Sequence, residues 1–294
     1  MTLAGPAAGA ILIVIYTLMM AGGDGITKFI AGRYEAPQLF AISALIVLAL
    51  SLAVEKWRKG EIRTAVTTTC RWAMALRSLL TVLASVAFFQ AFRVLPMAEI
   101  FLFLAMVPVI AAVMSGPGLG ETVRPAAWTA LLIGVGGMLC LFPGGVSSIT
   151  AGHLWAAIAV LSGTASLVSA RYISRREKNS LAQVFFPNAV LFVAMACFLP
   201  LVWVPMQASD LGWILLYSFL AFAGRWIIVL AFGLLPAYVA TPLMNLQFVW
   251  MVAIGFVAFG EVPEAGTVIG VLLVICSSLW LVRDEMLPGK AATT

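Results

Sequence analysis

The residues of this sequence that could do chemistry are a few charged side chains inside long apolar stretches. Asp24, Arg77 and Arg225 are each surrounded by aliphatic, aromatic and small residues. A charged group in an apolar environment is costly, so each of the three is a candidate functional group. Asp24 could accept the ammonium of a zwitterionic ligand, and the two guanidinium groups could receive a carboxylate through paired hydrogen bonds.

These charges also have structural explanations that involve no ligand. Lys28 follows Asp24 by four residues, the spacing of a neutralising pair on one helix face. Arg77, and less readily the deeper Arg225, could extend along the apolar surface toward lipid phosphate. Both kinds of explanation stay open at the level of sequence.

Three glutamates near the ends of apolar runs are expected to have structural roles. Glu99 would join Lys28 and Arg93 in an interfacial salt-bridge cluster. Glu121 and Glu261 would each open a helix, where a carboxylate complements the positive end of the helix dipole.

Uncharged polar and aromatic side chains complete a candidate ligand cavity. Asn and Gln need a partner or water at such depth, whereas serine hydroxyls often serve helix packing and aromatic rings often serve the core. The predicted cavity lining comprises Asp24, Phe89, Gln90, Trp155, Ser162, Arg225, Trp226, Tyr238, Asn245 and Gln247.

Catalytic and cofactor motifs are missing from the sequence. His153 is the single histidine, and the four cysteines are isolated, so neither metal-ligand spacing nor a disulfide framework is present. The phosphate-binding pattern GxxxxGK[ST] does not occur. An intramembrane enzyme, the rival class, needs paired Asp, Ser with His, or clustered His and Glu at membrane depth. We therefore expect no enzyme, no catalytic residues and no cofactor.

The composition places these residues in a lipid bilayer. Of 294 residues, 63% are hydrophobic and only 10% are charged, and the mean hydropathy is +1.09. Soluble domains carry about 25% charged residues, so a water-soluble fold is excluded. We predict an all-α polytopic membrane protein with ten spans, at about 9–30, 36–54, 73–93, 96–116, 124–142, 152–173, 181–203, 211–232, 238–259 and 263–283.

The distribution of basic residues predicts the orientation. If the N-terminus is cytoplasmic, twelve of the seventeen Lys and Arg residues fall in loops on the inner side and three on the outer side. This positive-inside bias predicts a bacterial-type inner membrane protein with both termini in the cytoplasm. Because the basic residues lie in loops between apolar runs, the net charge of +5 does not indicate a nucleic-acid partner.

An internal repeat divides the chain into two halves. At an offset of 140 residues, Ala91-Phe92-x-x-Leu95-Pro96 matches Ala231-Phe232-x-x-Leu235-Pro236, and Gly120-Glu121 matches Gly260-Glu261. With five spans in each half, residues 1–145 and 146–294 would be threaded in opposite senses, which is typical of secondary transporters. Gly22, Gly23 and Pro108 are the expected flexible points.

These features resemble the drug/metabolite transporter superfamily, and within it the EamA-type exporters. The resemblance rests on the two five-helix halves, the Leu-Pro turns and the Gly-Glu pairs, with Pro108 ahead of Gly120-Glu121. The second half departs from the pattern, since Phe248 stands where the equivalent proline would be. Length and aromatic-rich spans are most similar to YddG-type amino-acid exporters.

The resemblance and the candidate cavity together predict the function. We expect a secondary transporter that exports small metabolites, foremost aromatic or neutral amino acids, by alternating access between inverted halves. The alternatives are another metabolite, a vitamin or a drug. The partners would be the small-molecule substrate and the lipid bilayer, with protons or another ion as a coupling species.

Overall fold

The described part of the chain is helical. The computed structural model describes residues 4–57, 66–104, 150–177, 181–234 and 243–262, with residue 179 and scattered positions between 106 and 133 and between 269 and 276. Within these residues there is no strand, and the helices are α1 (Ala4–Ala31), α2 (Ala36–Trp57), α3 (Arg71–Val94), α4 (Met97–Leu104), α5 (Ala151–Ser174), α6 (Ala182–Val202), α7 (Ala208–Leu234) and α8 (Gln247–Phe259).

Six of these helices are long and apolar enough to cross a bilayer, namely α1, α2, α3, α5, α6 and α7. Their outward faces carry large apolar side chains such as Leu79, Leu215 and Phe219, each more than half exposed in the isolated chain. Such faces are stable only against lipid. The multi-pass membrane architecture expected from composition is therefore confirmed.

The predicted spans agree with the helices to within a few residues where both are described. The second and sixth spans, for example, were expected at 36–54 and 152–173 and are observed as α2 and α5. The spans expected at 124–142 and 263–283 fall almost wholly outside the described residues, so the total of ten stays a prediction.

Two expected breaks have clear backbone causes. Leu95, which precedes Pro96, is extended at φ −108° and ψ 149°, because a residue before proline is driven out of the helical region. This ends α3 and allows α4 to begin at once. Gly260 ends α8 in the left-handed conformation, with φ 68°, where a side chain would be strained.

The two halves pack through reciprocal pairs of helices. If α1 to α4 correspond in order to α5 to α8, every extensive contact between the halves has its counterpart. The contact of α1 with α7 is matched by α5 with α3, α1 with α8 by α5 with α4, and α3 with α6 by α7 with α2. When α1 to α4 are exchanged with α5 to α8 in this way, the contact of α2 with α6 maps onto itself. The contact of α4 with α8 does the same.

Candidate functional site

The buried carboxylate of Asp24 is held by a residue from the other half. Gln247, at the start of α8, donates a hydrogen bond from Nε2 to Asp24 Oδ2 over 2.6 Å. Lys28 does not pair with Asp24, because its ammonium instead forms an ion pair with Glu261. The interpretation of Asp24 and Lys28 as a neutralising pair is thus wrong, and Asp24 keeps one partner that is uncharged.

Two tyrosines connect Asp24 with Arg225. The guanidinium of Arg225, on α7, interacts electrostatically with the hydroxyl groups of Tyr16 and Tyr217. Both hydroxyl groups also interact electrostatically with the carboxyl group of Asp24. Among the described residues Asp24 and Arg225 form no direct ion pair, and each interacts electrostatically with both tyrosines. We call Tyr16, Asp24, Tyr217, Arg225 and Gln247 the polar cluster.

Glycines allow α1 and α7 to approach closely at this cluster. A Cβ built on Gly23 would lie 3.7 Å from the ring of Tyr217, and one on Gly22 would lie 3.4 Å from Leu220. From the other side, a Cβ on Gly224 would come within 3.0 Å of Met20 and 3.7 Å of the Tyr16 ring. The glycines expected to act as flexible points therefore lie at the contact between the halves.

The guanidinium of Arg77, on α3, is hydrogen-bonded to a side chain of α6. Its Nη1 donates a hydrogen bond to Oε1 of Gln183, in the first turn of α6. Gln183 Nε2 in turn donates to Ser174 Oγ over 2.8 Å, which fixes the orientation of the amide. This hydrogen bond is directed to α6, and the expectation that Arg77 extends toward lipid phosphate stays a prediction.

The other predicted cavity residues have varied surroundings. Phe89 is fully buried and packs edge-on against Phe40, with ring centroids 5.9 Å apart. Ser162 donates to Ile158 O of its own helix over 2.6 Å. Trp155 is 37% exposed. Gln90 is half-buried on α3, and Trp226 packs against Phe222 on α7. Asn245 is buried just before α8 begins.

Two predicted residues lie outside the described part of the chain. Tyr238 was expected in the cavity wall and Pro108 as a flexible point. Both assignments stay predictions. In the described residues, no group of three His, Cys, Asp or Glu side chains could hold a metal ion.

Ion pairs that join distant segments cluster at the end of the bundle where α1 ends and α7 begins. Lys28 pairs with Glu261 and also donates to Leu95 O over 3.3 Å. Asp210 is buried and accepts from Tyr34 over 2.6 Å, with Arg33 at 3.5 Å. These contacts join α1 to segments of the second half.

Glu99, Lys28 and Arg93 do not form one cluster of ion pairs. Glu99 lies 3.3 Å from His153 Nε2, whereas Arg93 pairs with Glu35 over 2.8 Å. The expected cluster of Glu99 with Lys28 and Arg93 is thus wrong, since the three side chains have separate partners.

Sequence reasoning missed the tyrosines and Gln183. Tyr16 and Tyr217 lie in apolar runs at positions that suit either packing or an interface, so residue type alone did not single them out. The repeat offers a signal, because an offset of 140 residues aligns Arg77 with Tyr217, which are both half-buried polar positions.

Comparisons with known proteins agree with this architecture. Residues 7–142 match the EamA-like transporter family. The Pseudopaline exporter CntI of Pseudomonas aeruginosa is 23% identical over 217 residues, which are 72% of this chain and 75% of that protein. The Riboflavin transporter of Rhizobium johnstonii is 30% identical over 206 residues, which are 62% of this chain and 65% of that protein.

The fold also matches a solved structure across nearly the whole chain. A crystal structure that is 17% identical superposes with a TM-score of 0.74 over 95% of this chain and 99% of its own. At that identity the match speaks for the fold alone. Over residues 7–142 the chain is thus similar to the EamA-like transporter family, and the two curated relatives are a named exporter and a named transporter.

Proposed function

We propose that this protein is a secondary transporter that exports small zwitterionic metabolites, foremost aromatic or neutral amino acids, similar to YddG-type exporters. The observation that carries the proposal is the close approach of α1 and α7 at Asp24 and Arg225. There a Cβ on Gly23 would lie 3.7 Å from the Tyr217 ring, and one on Gly224 would lie 3.7 Å from the Tyr16 ring. A carboxylate and a guanidinium that lie near each other without an ion pair offer one contact for each charge of a zwitterion.

The chemistry of each partner fits this role. A planar guanidinium binds a carboxylate through two parallel hydrogen bonds, and the Arg225 side chain offers this donor geometry. Asp24 has oxygen lone pairs left after its bond from Gln247, so it can accept from an ammonium. The phenol groups of Tyr16 and Tyr217 can donate or accept beside either charge.

Alternating access between inverted halves is the mechanism that we propose. Its support is the reciprocal packing of the helices and the internal offset of 140 residues. The same offset aligns Gly23 with Gly163, both at close contacts between the halves, and Ala91 with Ala231, both fully buried. The polar cluster joins α1 to α7 and α8, so a ligand there would sense movement between the halves.

A second candidate substrate is a vitamin-like metabolite. Its support is the similarity to a riboflavin transporter, which is the more identical of the two relatives. Such a ligand would depend on aromatic and amide contacts more than on the charge of Arg225. The driving force in either case would be the substrate gradient or coupling to protons or another ion.

Counterflow in proteoliposomes tests the proposal. Vesicles loaded with unlabelled phenylalanine should accumulate labelled phenylalanine, but not labelled phenylalanine amide, which lacks the carboxylate. Asp24→Asn and Arg225→Gln should each reduce uptake about tenfold or more, because a charge-assisted contact contributes ~1.5–3 kcal/mol. Glu35→Gln and Arg93→Gln are matched controls, since that pair is exposed at one end of the bundle.

Two outcomes would contradict the proposal. One is equal accumulation of phenylalanine and its amide, because the carboxylate contact would then be absent. The other is uptake of riboflavin by vesicles that accumulate no amino acid, and this would favour the vitamin-like candidate.

A further inference from the structure

Arg77 is a second inward-facing cation that the proposed function leaves unexplained. On α3 the neighbouring Leu76 and Leu79 are exposed toward lipid, whereas Met74 and Ser78 are buried in the bundle. The Arg77 guanidinium is directed to Gln183 on α6, which lies on the inward side. Its Nε is buried and has no hydrogen-bond partner among the described residues. A buried donor without a partner costs about 1–3 kcal/mol, so an additional acceptor is expected there.

Arg225 reaches the same region from α7. Its neighbour Trp226 packs in one apolar cluster with Leu181 and Val184, the residues that flank Gln183. Arg77 also senses the positive charge of Arg225. The Arg77 guanidinium thus lies at the first turn of α6, and Arg225 is close enough to interact with it electrostatically.

The positive charges of Arg77 and Arg225 are not neutralised by described acidic side chains. In the described parts of the chain, Glu261 pairs with Lys28, Asp210 with Arg33 and Glu35 with Arg93, and Glu99 lies beside His153. Neither Arg77 nor Arg225 has an acidic partner there. Like charges repel strongly where water is scarce, and an anion between them would relieve that repulsion.

We propose that Arg77, positioned by Gln183, forms a second anion subsite, so that the preferred substrate carries two acidic groups. This inference rests on the proposed function, in which Arg225 binds the first carboxylate and Asp24 the ammonium. Within the zwitterionic class, this second subsite changes the expected order of substrates. An acidic amino acid or a related amino dicarboxylate with net negative charge would be preferred over the neutral amino acids, which contact Arg225 and Asp24 alone. Arg77 offers Nε to the second acid while Nη1 stays with Gln183.

Counterflow with a matched pair of substrates gives the first test. Glutamate and glutamine have nearly the same shape and differ in the side-chain charge, so their ratio isolates the second subsite. Wild-type protein should transport glutamate at a half-saturating concentration about tenfold below that for glutamine. Arg77→Gln should abolish this ratio by raising the half-saturating concentration for glutamate much more than that for glutamine, whereas Arg225→Gln should raise both by a similar factor. Arg71→Gln, exposed six residues earlier on α3, is the control.

A binding measurement keeps the inference testable if amino acids are not substrates. Glutarate and pentanoate have five carbons each and differ by one carboxylate. Glutarate should raise the Tm of the purified protein more than pentanoate does, and Arg77→Gln should remove the difference. Failure of the proposed function would appear as absent amino-acid counterflow with this glutarate effect intact.

Three results would overturn the second subsite. The first is equal protection by glutarate and pentanoate in wild-type protein. The second is a loss of glutamate and glutamine transport in equal proportion in Arg77→Gln, which would show a structural role. The third concerns a lipid phosphate, which has the same acidic chemistry. If phosphatidylglycerol vesicles suppress the glutarate effect and phosphatidylcholine vesicles do not, Arg77 binds lipid.

Discussion

Lys28, near the end of α1, forms an ion pair with Glu261, which lies 233 residues later and just beyond α8. The two side chains are 16% and 29% exposed. Glu261 reaches this position because Gly260 turns the chain back, so that the Glu261 amide donates to Gly255 O over 3.0 Å. The pair therefore fastens the first helix to the end of the second half.

Removing this pair should destabilise the protein. We expect Lys28→Gln to lower the free energy of unfolding by about 1–3 kcal/mol, since it leaves Glu261 half-buried without its cation. Arg93→Gln should cost less than about 1 kcal/mol, because its pair with Glu35 is exposed on both sides. Thermal unfolding in detergent compares the two. Equal losses of stability in the two variants would show that the greater burial of the Lys28 pair does not increase its contribution to the free energy of unfolding.

Two glycines provide a matched test of close packing. A Cβ on Gly152 would lie 2.7 Å from Val94 Cγ2 and 2.8 Å from Leu95 Cγ, at the point where α5 begins beside the turn after α3. Gly152→Ala should therefore destabilise the fold by about 1–3 kcal/mol. Gly212→Ala, with nothing within 4 Å, should be neutral or stabilise α7 by up to about 1 kcal/mol. A harmless Gly152→Ala in the same unfolding assay would contradict this packing.

The sequence predicts the helices better than it predicts the interaction partners of the charged side chains. Apolar run length and the Leu95-Pro96 break predicted α2, α3 and α5 well, because both signals are local. The cationic and acidic candidates Asp24 and Arg225 were also identified locally, since a charge inside an apolar run is rare.

The partners of these charges could not be predicted in the same way. Gln247 reaches Asp24, and Glu261 reaches Lys28, across more than 220 residues. The nearest opposite charge in sequence to Asp24 was Lys28, and local spacing favoured that pair. Only the packing of α8 against α1 brings the true partners together.

Glu177 should make stability depend on pH at the end of the bundle where α5 ends. Burial opposes its ionisation, but hydrogen bonds from Thr69 N at 2.7 Å and from the hydroxyls of Thr69 and Thr68 outweigh it and lower the pKa of Glu177. The ionised carboxylate therefore stabilises the folded state at pH values above the unfolded pKa. That contribution is lost as the pH falls through the lowered folded pKa.

The variant Glu177→Gln tests this linkage. Its Tm should lie below that of wild type at neutral pH, and the two curves should converge at acid pH once the carboxylate of wild type is protonated. Thermal unfolding measured along a pH series gives the comparison. A difference in Tm that stays constant down to the acid end would mean that the carboxylate charge is irrelevant.

The orientation predicted from the basic loops can be tested at described positions. Arg71 and Ser209 are both exposed and lie at opposite ends of the bundle. In a background with the four native cysteines replaced, Arg71→Cys should be protected from a membrane-impermeant thiol reagent in intact cells. Ser209→Cys should be labelled under the same conditions. The reverse labelling pattern would place both termini outside the cytoplasm.

Replacing Arg225 by lysine or by glutamine should separate the effect of its positive charge from the effect of its planar shape. Arg225→Lys keeps the positive charge but replaces the planar fork by a single ammonium, which cannot reproduce two parallel hydrogen bonds to a carboxylate. We therefore expect counterflow of phenylalanine to recover only partly relative to Arg225→Gln, with a half-saturating concentration between those of Arg225→Gln and wild type. Both variants must show normal yield and a single elution peak in detergent.

Full recovery in Arg225→Lys would mean that a positive charge near Tyr16 and Tyr217 is sufficient, without paired hydrogen bonds. Wild-type uptake in Arg225→Gln would be more serious, because the guanidinium would then have no role in transport. Since Arg225 makes no ion pair with the described carboxylates, its cost in the bilayer would then need another explanation. Partial rescue by lysine is the one result that requires both the charge and the fork, and it is the result that the polar cluster predicts.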